Sequence, residues 1–291
     1  MRRQERFFGT AFRRCRCEGQ EARLDSAAKI GTRGRGIDRV VELLGFLHRH
    51  GRPIGIGDLA RRLNAPRSST YEIVRTLSEA ALIEAEPDGK IFFGKALYFY
   101  GVDYLREHDL VRRGRDEVDR LARETGETSQ FCMLHERKYT VVHMRAGSRP
   151  FRISSDIGTQ IPVPWTASGR LLLSHLTPAE IRDLVTPDDL VLPGGRIIAI
   201  EAFIESVAAA RRDGYCITTG LVDAYTHCVA APVLDHQGHA AATLCFVVPV
   251  DTTRERIADL RDILVESGRS LSLFLAERPA EAAGLGGRAG G

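Results

Sequence analysis

The sequence predicts an α+β fold in two domains, a small helical one followed by a larger one in which helices alternate with strands. Three observations support this prediction. The chain has 291 residues, more than a single domain usually holds. Apolar residues recur at helical spacing from Ile37 and give way to a hairpin pattern that ends near Phe93. From Val111 onward, β-rich runs and amphipathic helices are interleaved.

The composition indicates a globular protein without a membrane segment. Hydrophobic residues make up 43% of the chain and charged residues 27%, and no apolar run reaches the length of a membrane span. The N-terminal stretch lacks the apolar core of a secretory signal, so we expect a cytoplasmic protein whose six cysteines are free thiols. Cys15 and Cys17 lack a second ligand pair at metal spacing, and we expect no metal and no cofactor.

Charge is concentrated at the N-terminus. Residues 1–36 carry ten Lys or Arg residues against four Asp or Glu residues, whereas the whole chain has a net charge of +3. This composition predicts a basic, disordered tail, and the alternative is an arm that contacts nucleic-acid phosphates. Residues 278–291 are rich in Gly and Ala and predict a second flexible tail.

Residues 37–94 predict a compact domain of three helices and a hairpin. A first helix, "IDRVVELLGFLHRH", precedes two shorter helices that flank the turn Asn64-Ala65-Pro66, and Ser69 with Glu72 forms a candidate capping box. Two short strands around Pro87-Asp88-Gly89 then read as a hairpin. Two helices joined by a tight turn and followed by a two-stranded wing constitute a winged helix-turn-helix, whose second helix enters the DNA major groove.

The second helix of that pair, residues 66–80, carries seven candidate DNA-binding side chains. Donors to phosphate oxygens are Arg67, Ser68, Ser69, Thr70, Tyr71 and Arg75. Long enough to approach base edges are Arg67, Tyr71 and Glu72. Glu72 either caps its own helix or accepts a hydrogen bond from a cytosine amino group. The alternative for the whole set is a solvated charged helix face.

Residues 95–110 predict a linker helix with a run of aromatic side chains. These aromatics are Tyr98, Phe99, Tyr100 and Tyr104. They predict either a dimer surface or packing inside the protein.

Residues 111–277 predict the second domain. Its β-rich runs are residues 128–136, 138–146, 151–156, 215–220, 228–235 and 240–250, and a hairpin turn at Asp235-His236-Gln237-Gly238 joins the last two. Its helix signals include the capping box of Thr177 with Glu180, the helix end at Gly214, and a long final amphipathic helix. One helix begins in "PVPWTASGRLLLSHL", where the backbone N–H groups of residues 166–169 could hold a carboxylate beside Trp165. The alternative is a plain capped helix packed on a sheet.

Several of these segments resemble the IclR family of bacterial transcription regulators. The resemblance rests on "IDRVVELLGFLHRHGRPIGIGDLARRLNAPRSSTYEIVRTLSEAALIE", "IPVPWTASGRLLLSHL" and "RRDGYCITTGLVDAYTHCVAAPVLDHQGHAAATLCFVV", and it extends from Ile37 to Leu275. It implies a GAF-like α/β effector-binding domain and binding to double-stranded operator DNA as a homodimer or dimer of dimers. It also implies a response to small metabolites, often carboxylic acids.

The resemblance also implies which residues contact the effector. Carried over position by position, these are Ala167, Ser168, Thr218, Cys228, Cys245 and Val247. A well-studied branch of the family has aspartate at the position of Thr218 and serines at those of Cys245 and Val247, so this pocket is predicted to be less polar. We therefore expect a larger, partly apolar or aromatic acid rather than glyoxylate, bound beside Trp165.

Two competing functions involve the cysteines. His227 precedes Cys228 and the pair invites a nucleophile-and-base interpretation, but adjacent residues on a strand point to opposite faces, so we expect no enzyme activity. The alternative to an acid sensor is a thiol redox-sensing regulator that acts through Cys228 and Cys245.

Overall fold

The computed structural model describes residues 35–276, apart from residue 136 and residues 149–154. Both predicted tails therefore lie outside the described residues, except that the first helix begins at Arg35, two residues before the predicted start. Most of the strand predicted at residues 151–156 also lies outside them. The chain forms two compact units that divide between Phe99 and Tyr100.

The first unit contains three helices and a small antiparallel sheet. Its helices are α1 (Arg35–His50), α2 (Ile56–Arg62) and α3 (Arg67–Glu79), and its strands are β1 (Ile54–Gly55), β2 (Ile83–Ala85) and β3 (Lys90–Phe93). The predicted hairpin is confirmed, with Ala85 opposite Ile91. Strand β1 pairs with the other side of β3, so the sheet has the order β1-β3-β2. Two residues are too few for a periodic signal, and for this reason β1 was absent from the sequence prediction.

Apolar side chains from every element of this unit form one core. It contains Leu47 of α1, Leu59 of α2, Val74 of α3 and Ile91 of β3, all nearly inaccessible to solvent. The turn between α2 and α3 depends on Asn64, whose φ of 47° is left-handed. Asparagine tolerates this conformation better than most residues, so the turn stays tight and fixes the angle between α2 and α3.

The predicted linker helix is divided in two. Helix α4 covers Lys95–Glu107 and helix α5 begins at Asp109, so the last two residues of the predicted linker belong to α5. His108 interrupts the helix with φ −107° and ψ 82°, and its ring stacks on Tyr104 at a centroid distance of 3.8 Å. No residue of α4 is buried.

The second unit is built around a six-stranded antiparallel sheet of order β6-β5-β4-β9-β8-β7. Its strands are β4 (Thr128–His135), β5 (Lys138–Arg145), β6 (Gln160–Pro162), β7 (Cys216–Thr219), β8 (Thr226–Leu234) and β9 (Ala240–Pro249). Its helices are α5 (Asp109–Thr125), α6 (Ala167–Leu172), α7 (Pro178–Leu184), α8 (Ile200–Asp213) and α9 (Arg254–Ala276). Two 3₁₀ turns cover Val163–Trp165 and Pro187–Leu190.

Alternation along the strands gives the sheet two apolar faces. On one face, Phe131, Leu244 and Phe246 pack with α5 and α9. On the other, Cys132 and Cys245 pack with α6 and α8. Because side chains alternate along a strand, each central strand contributes to both layers. The second face also holds the pocket described below.

Several local predictions in this unit are confirmed. Thr177 and Glu180 form the capping box, Gly214 ends α8 with φ 73°, and Asp235 to Gly238 form the turn between β8 and β9. Five of the predicted β-rich runs coincide with β4, β5, β7, β8 and β9. Strand β6 and both 3₁₀ turns are too short to give a periodic signal. Within the described residues, no helix is long and apolar enough to cross a membrane.

Candidate nucleic-acid interface and ligand pocket

Helix α3 begins without the predicted capping box. Its N-cap residue is Pro66, no side chain caps the helix, and Ser69 lies in its first turn. Of the two alternatives for Glu72, the one in which it folds back onto Ser69 is therefore wrong, because the helix starts at Arg67, earlier than a cap at Ser69 would allow. The Glu72 side chain is exposed and is free to face solvent or a ligand.

The seven candidate DNA-binding residues of α3 lie partly on its buried face and partly on its exposed face. Thr70, Val74 and Leu77 point into the core, and Thr70 is only 2% exposed. The Thr70 hydroxyl donates to the Pro66 carbonyl at 3.1 Å, so this side chain stabilises the first turn instead of facing outward. Ser69 is partly buried. The five exposed candidates are Arg67, Ser68, Tyr71, Glu72 and Arg75.

One exposed candidate is held by an ion pair. Arg75 donates to Glu79 at 2.8 Å, one helical turn further along α3. An exposed pair at this spacing is worth only about 0.3–0.5 kcal/mol. The Arg75 guanidinium can therefore exchange Glu79 for a DNA phosphate at a small cost in free energy.

A second cationic surface lies on the same unit. The cations Arg52, Arg62 and Lys90 surround a shallow polar depression next to β1, together with His50 and one carboxylate, Asp58. Burial and the neighbouring Arg52 and Arg62 lower the pKa of His50, which keeps its imidazole neutral near pH 7. These residues come from α1, α2, β3 and the loop before β1, so the sequence offered no local signal that they meet.

The second unit contains a concave pocket on the α6 and α8 face of the sheet. It encloses about 480 Å³ of space between side chains, including the part open to solvent. Four of the seven predicted effector residues line it, namely Trp165, Thr218, Cys228 and Val247. Strand register explains three of them, since Thr218, Cys228 and Val247 are successive cross-strand partners on β7, β8 and β9.

The other three predicted residues lie behind the pocket wall. Ala167, Ser168 and Cys245 are fully buried. Cys245 lies two residues before Val247 on β9 and pairs with Gln130 of β4. Their predicted contact with a ligand therefore requires rearrangement of the wall.

The start of α6 is occupied by its own contacts. The Gly169 N–H donates to the Thr166 hydroxyl at 2.8 Å, and the Ala167 N–H faces the Cys228 thiol. Gly169 is needed here, because a Cβ would lie 2.1 Å from the Val163 carbonyl oxygen. The helix has only six residues. The backbone N–H groups of residues 166–169 were predicted to hold a carboxylate, but most of them are hydrogen-bonded within the protein.

Sequence reasoning missed the polar end of the pocket. Gln130 lines it, donates from Nε2 to Ser155 Oγ at 2.9 Å, and accepts from the Tyr139 hydroxyl at 2.9 Å. Tyr139 in turn accepts from the Cys132 thiol at 2.9 Å. These residues lie on β4, β5 and the segment before β6, and only sheet pairing brings them together.

Trp165 is fixed at the rim of the pocket. Its indole Nε1 donates to the Asp189 carbonyl at 2.7 Å. Trp165 is also one of the residues that line the pocket. An anchored aromatic plate of this kind suits a flat ligand.

Three thiols form a chain that runs from the pocket lining at Cys228 to the buried Cys245 and Cys132. Cys228 contacts Cys245, and Cys245 contacts Cys132. The hydrogen bond that Cys228 donates to Cys245, together with burial, raises the pKa of Cys228, and a hydrogen bond with Cys132 together with burial raises the pKa of Cys245. His227 points away and bonds to Thr219 and to the Val250 carbonyl, so it does not act as a base toward Cys228.

The chain matches two family models that follow one another along the sequence. The IclR helix-turn-helix domain matches residues 36–87, and the C-terminal domain of bacterial IclR transcriptional regulators matches residues 102–273. The HTH-type transcriptional regulator XynR of Escherichia coli is 23% identical over 83% of this chain and 97% of XynR. The glycerol operon regulatory protein of Streptomyces griseus is 26% identical over 75% of this chain and 85% of its own.

Solved structures share the fold. An IclR transcriptional regulator from Alicyclobacillus acidocaldarius has a TM-score of 0.73 at 20% identity, over 85% of this chain and 99% of its own. An IclR homologue from Microbacterium hydrocarbonoxydans, complexed with 4-hydroxybenzoate, has a TM-score of 0.72 at 22% identity, over 83% of this chain and 99% of its own.

A winged helix-turn-helix followed by an effector domain defines a DNA-binding transcriptional regulator, not an enzyme. The chain belongs to the IclR family of bacterial transcriptional regulators.

Proposed function

We propose that this regulator binds a small organic acid with an aromatic or partly apolar body, and that the acid modulates its binding to operator DNA. The observation that carries the proposal is the pocket, which joins the Trp165 plate and the apolar row of Cys228 and Val247 to a polar end at Gln130. The flat body of a ligand would lie against Trp165, Cys228 and Val247, and a polar substituent would reach Gln130. The 4-hydroxybenzoate bound by the Microbacterium homologue is a molecule of this class.

The DNA-binding part of the proposal uses the exposed face of α3. Arg67, Tyr71 and Glu72 would approach base edges, with Ser68 and Arg75 on phosphates. The depression formed by Arg52, Arg62 and Lys90 would add phosphate contacts. Thr70 has no contact role in this scheme because its side chain is buried.

A homodimer is part of the proposal, with a dimer of dimers as the larger assembly. Helix α4 exposes Tyr98, Phe99, Tyr100 and Tyr104, each more than 40% accessible. Contiguous exposed aromatics are rare on a monomer surface and are common in interfaces. Because the protein reads chromosomal DNA, we place it in the cytoplasm.

The redox alternative is weaker on chemical grounds. Reactive cysteines usually have lowered pKa values and access to solvent. The raised pKa values of Cys228 and Cys245 keep both thiols protonated at neutral pH, where they react slowly with oxidants.

A gel-shift titration tests the proposal. Full-length protein would be mixed with DNA from upstream of its own gene, with and without 4-hydroxybenzoate, benzoate, phenylacetate and glyoxylate. We expect a salt-sensitive complex that at least one aromatic acid shifts and glyoxylate does not. A complex unaffected by every aromatic acid but shifted by glyoxylate or by peroxide would contradict it. Emission of Trp165, the one tryptophan in the sequence, reports ligand binding in the same samples.

A further inference from the structure

Arg170 is a buried cation with an unusual set of partners. It lies on α6 and is 7% exposed. Its Nε donates to Ser206 Oγ at 3.0 Å, and its Nη1 donates to the carbonyls of Thr166 at 2.7 Å and Pro164 at 3.1 Å. The guanidinium carbon lies 5.3 Å from the centre of the Phe203 ring. All of these partners are electrically neutral.

Other buried charges in the described part of the chain are balanced. Its buried charged side chains are Glu127, Arg170 and Asp189. Arg256 pairs with Glu127, and Lys138 pairs with Asp189. Arg170 has no carboxylate partner among the described residues, although a buried charge is ordinarily paired.

The unbalanced charge stands directly behind the pocket. Arg170 holds the carbonyls on both sides of Trp165, and Trp165 and Thr166 line the pocket. Cys228, whose thiol is faced by the Ala167 N–H of the same helix as Arg170, is close enough for Arg170 to influence its ionisation. Because Arg170 is buried, solvent screens its charge only weakly.

We infer that Arg170 determines the preference of the pocket for anionic ligands, acting through the Trp165–Thr166 wall without touching the ligand. Among the described residues that line the pocket there is no Lys or Arg and there is one carboxylate, Asp223, whereas Arg170 places a positive charge directly behind the lining. The inference rests on the proposed function, and it identifies which residue makes an acid bind better than its neutral amide.

The test compares isosteric acids and amides. Trp165 emission or calorimetry would measure Kd for 4-hydroxybenzoate against 4-hydroxybenzamide, and for phenylacetate against phenylacetamide. In the unmodified protein we expect the acid to bind at least about tenfold more tightly. Arg170→Gln should remove most of that preference, whereas Arg170→Lys should keep it within about threefold. The exposed Arg212→Gln serves as a control for a charge elsewhere.

Ser206 offers a second test that leaves Arg170 in place. Ser206→Asp puts a carboxylate next to Nε and balances the charge, and Ser206→Asn has similar size without charge. We expect the acid preference to fall about tenfold in the first variant only.

The outcomes separate the inference from the proposed function. An unchanged acid-to-amide ratio in folded Arg170→Gln and Ser206→Asp proteins would overturn the inference alone. If the Arg170→Lys and Arg170→Gln proteins both lost acid and amide binding equally, Arg170 would only maintain the shape of the pocket. That result would also overturn the inference. If the unmodified protein bound amides as well as acids, or bound none of these probes, the proposed acid effector itself would fail.

Discussion

The Tyr139 hydroxyl donates to Gln130 Oε1 at 2.9 Å, between adjacent strands at the polar end of the pocket. This bond orients the carboxamide, so that Nε2 is directed to Ser155. Tyr139→Phe removes it and also deprives the Cys132 thiol of its acceptor. We expect a loss of about 1–2 kcal/mol in the free energy of unfolding, measured by urea denaturation.

The same variant should weaken acid binding about fivefold, because the Gln130 amide is no longer held in one orientation. Tyr215→Phe, on a tyrosine outside the pocket lining, provides the control. Unaltered affinity in a destabilised Tyr139→Phe protein would mean that this network is structural only.

We expect Glu72 to contribute to recognition of the operator base sequence, and not only to the charge of the DNA-binding surface. Because it is exposed and does not cap α3, Glu72→Gln should change base preference at one operator position by about 1–3 kcal/mol, measured by binding to a randomised operator library. Glu79→Gln, which releases Arg75 from its ion pair, should leave the base preference unchanged. A uniform change across all operator sequences in the Glu72 variant would indicate an electrostatic effect alone.

The cationic depression should contribute to the salt dependence of DNA binding. Replacing Arg52, Arg62 or Lys90 by alanine should each reduce the slope of log K against log salt by about 1. Fluorescence anisotropy between about 50 and 200 mM salt measures the slope. Arg182→Ala in the effector domain is the matched control, and equal slopes in all four proteins would exclude this surface from the interface.

Alkaline pH should destabilise the effector domain through its buried thiols. Burial raises the pKa of Cys216 to about 11, so the folded state retains a proton that the unfolded state releases. The stabilising contribution is complete below pH 9 and is lost as the pH rises through 11, at a slope of about 1.4 kcal/mol per pH unit.

Urea midpoints at several pH values from 8 to 11 would measure this loss, and Cys216→Ala should flatten the profile. The Cys228→Ser, Cys245→Ser double variant should flatten it as well, because both thiols have raised pKa values. The double variant should still respond to acids. Loss of all effector response, together with loss of a response to oxidant, would favour the redox hypothesis.

Local sequence patterns predicted most of the helices, strands and turns. Thr177 with Glu180, Gly214 and the turn at Asp235 act within a few residues, so their signals are complete in the sequence. The error at Ser69 has the same origin, since two helix starts compete within three residues and packing of Thr70 against the core selects the earlier one. Strand β1 depends on its pairing with β3, which is distant in sequence.

Residue patterns and the family resemblance predicted the family, the helical pair with its wing, and four residues of the pocket lining. Which of the predicted effector residues line the pocket depends on the fold, because strand register places Cys228 and Val247 in the pocket and Cys245 behind it. It also assembled Gln130 with Tyr139 and set Arg170 behind the wall. Side-chain direction and buried charge depend on contacts between distant segments, and periodicity carries no information about those contacts.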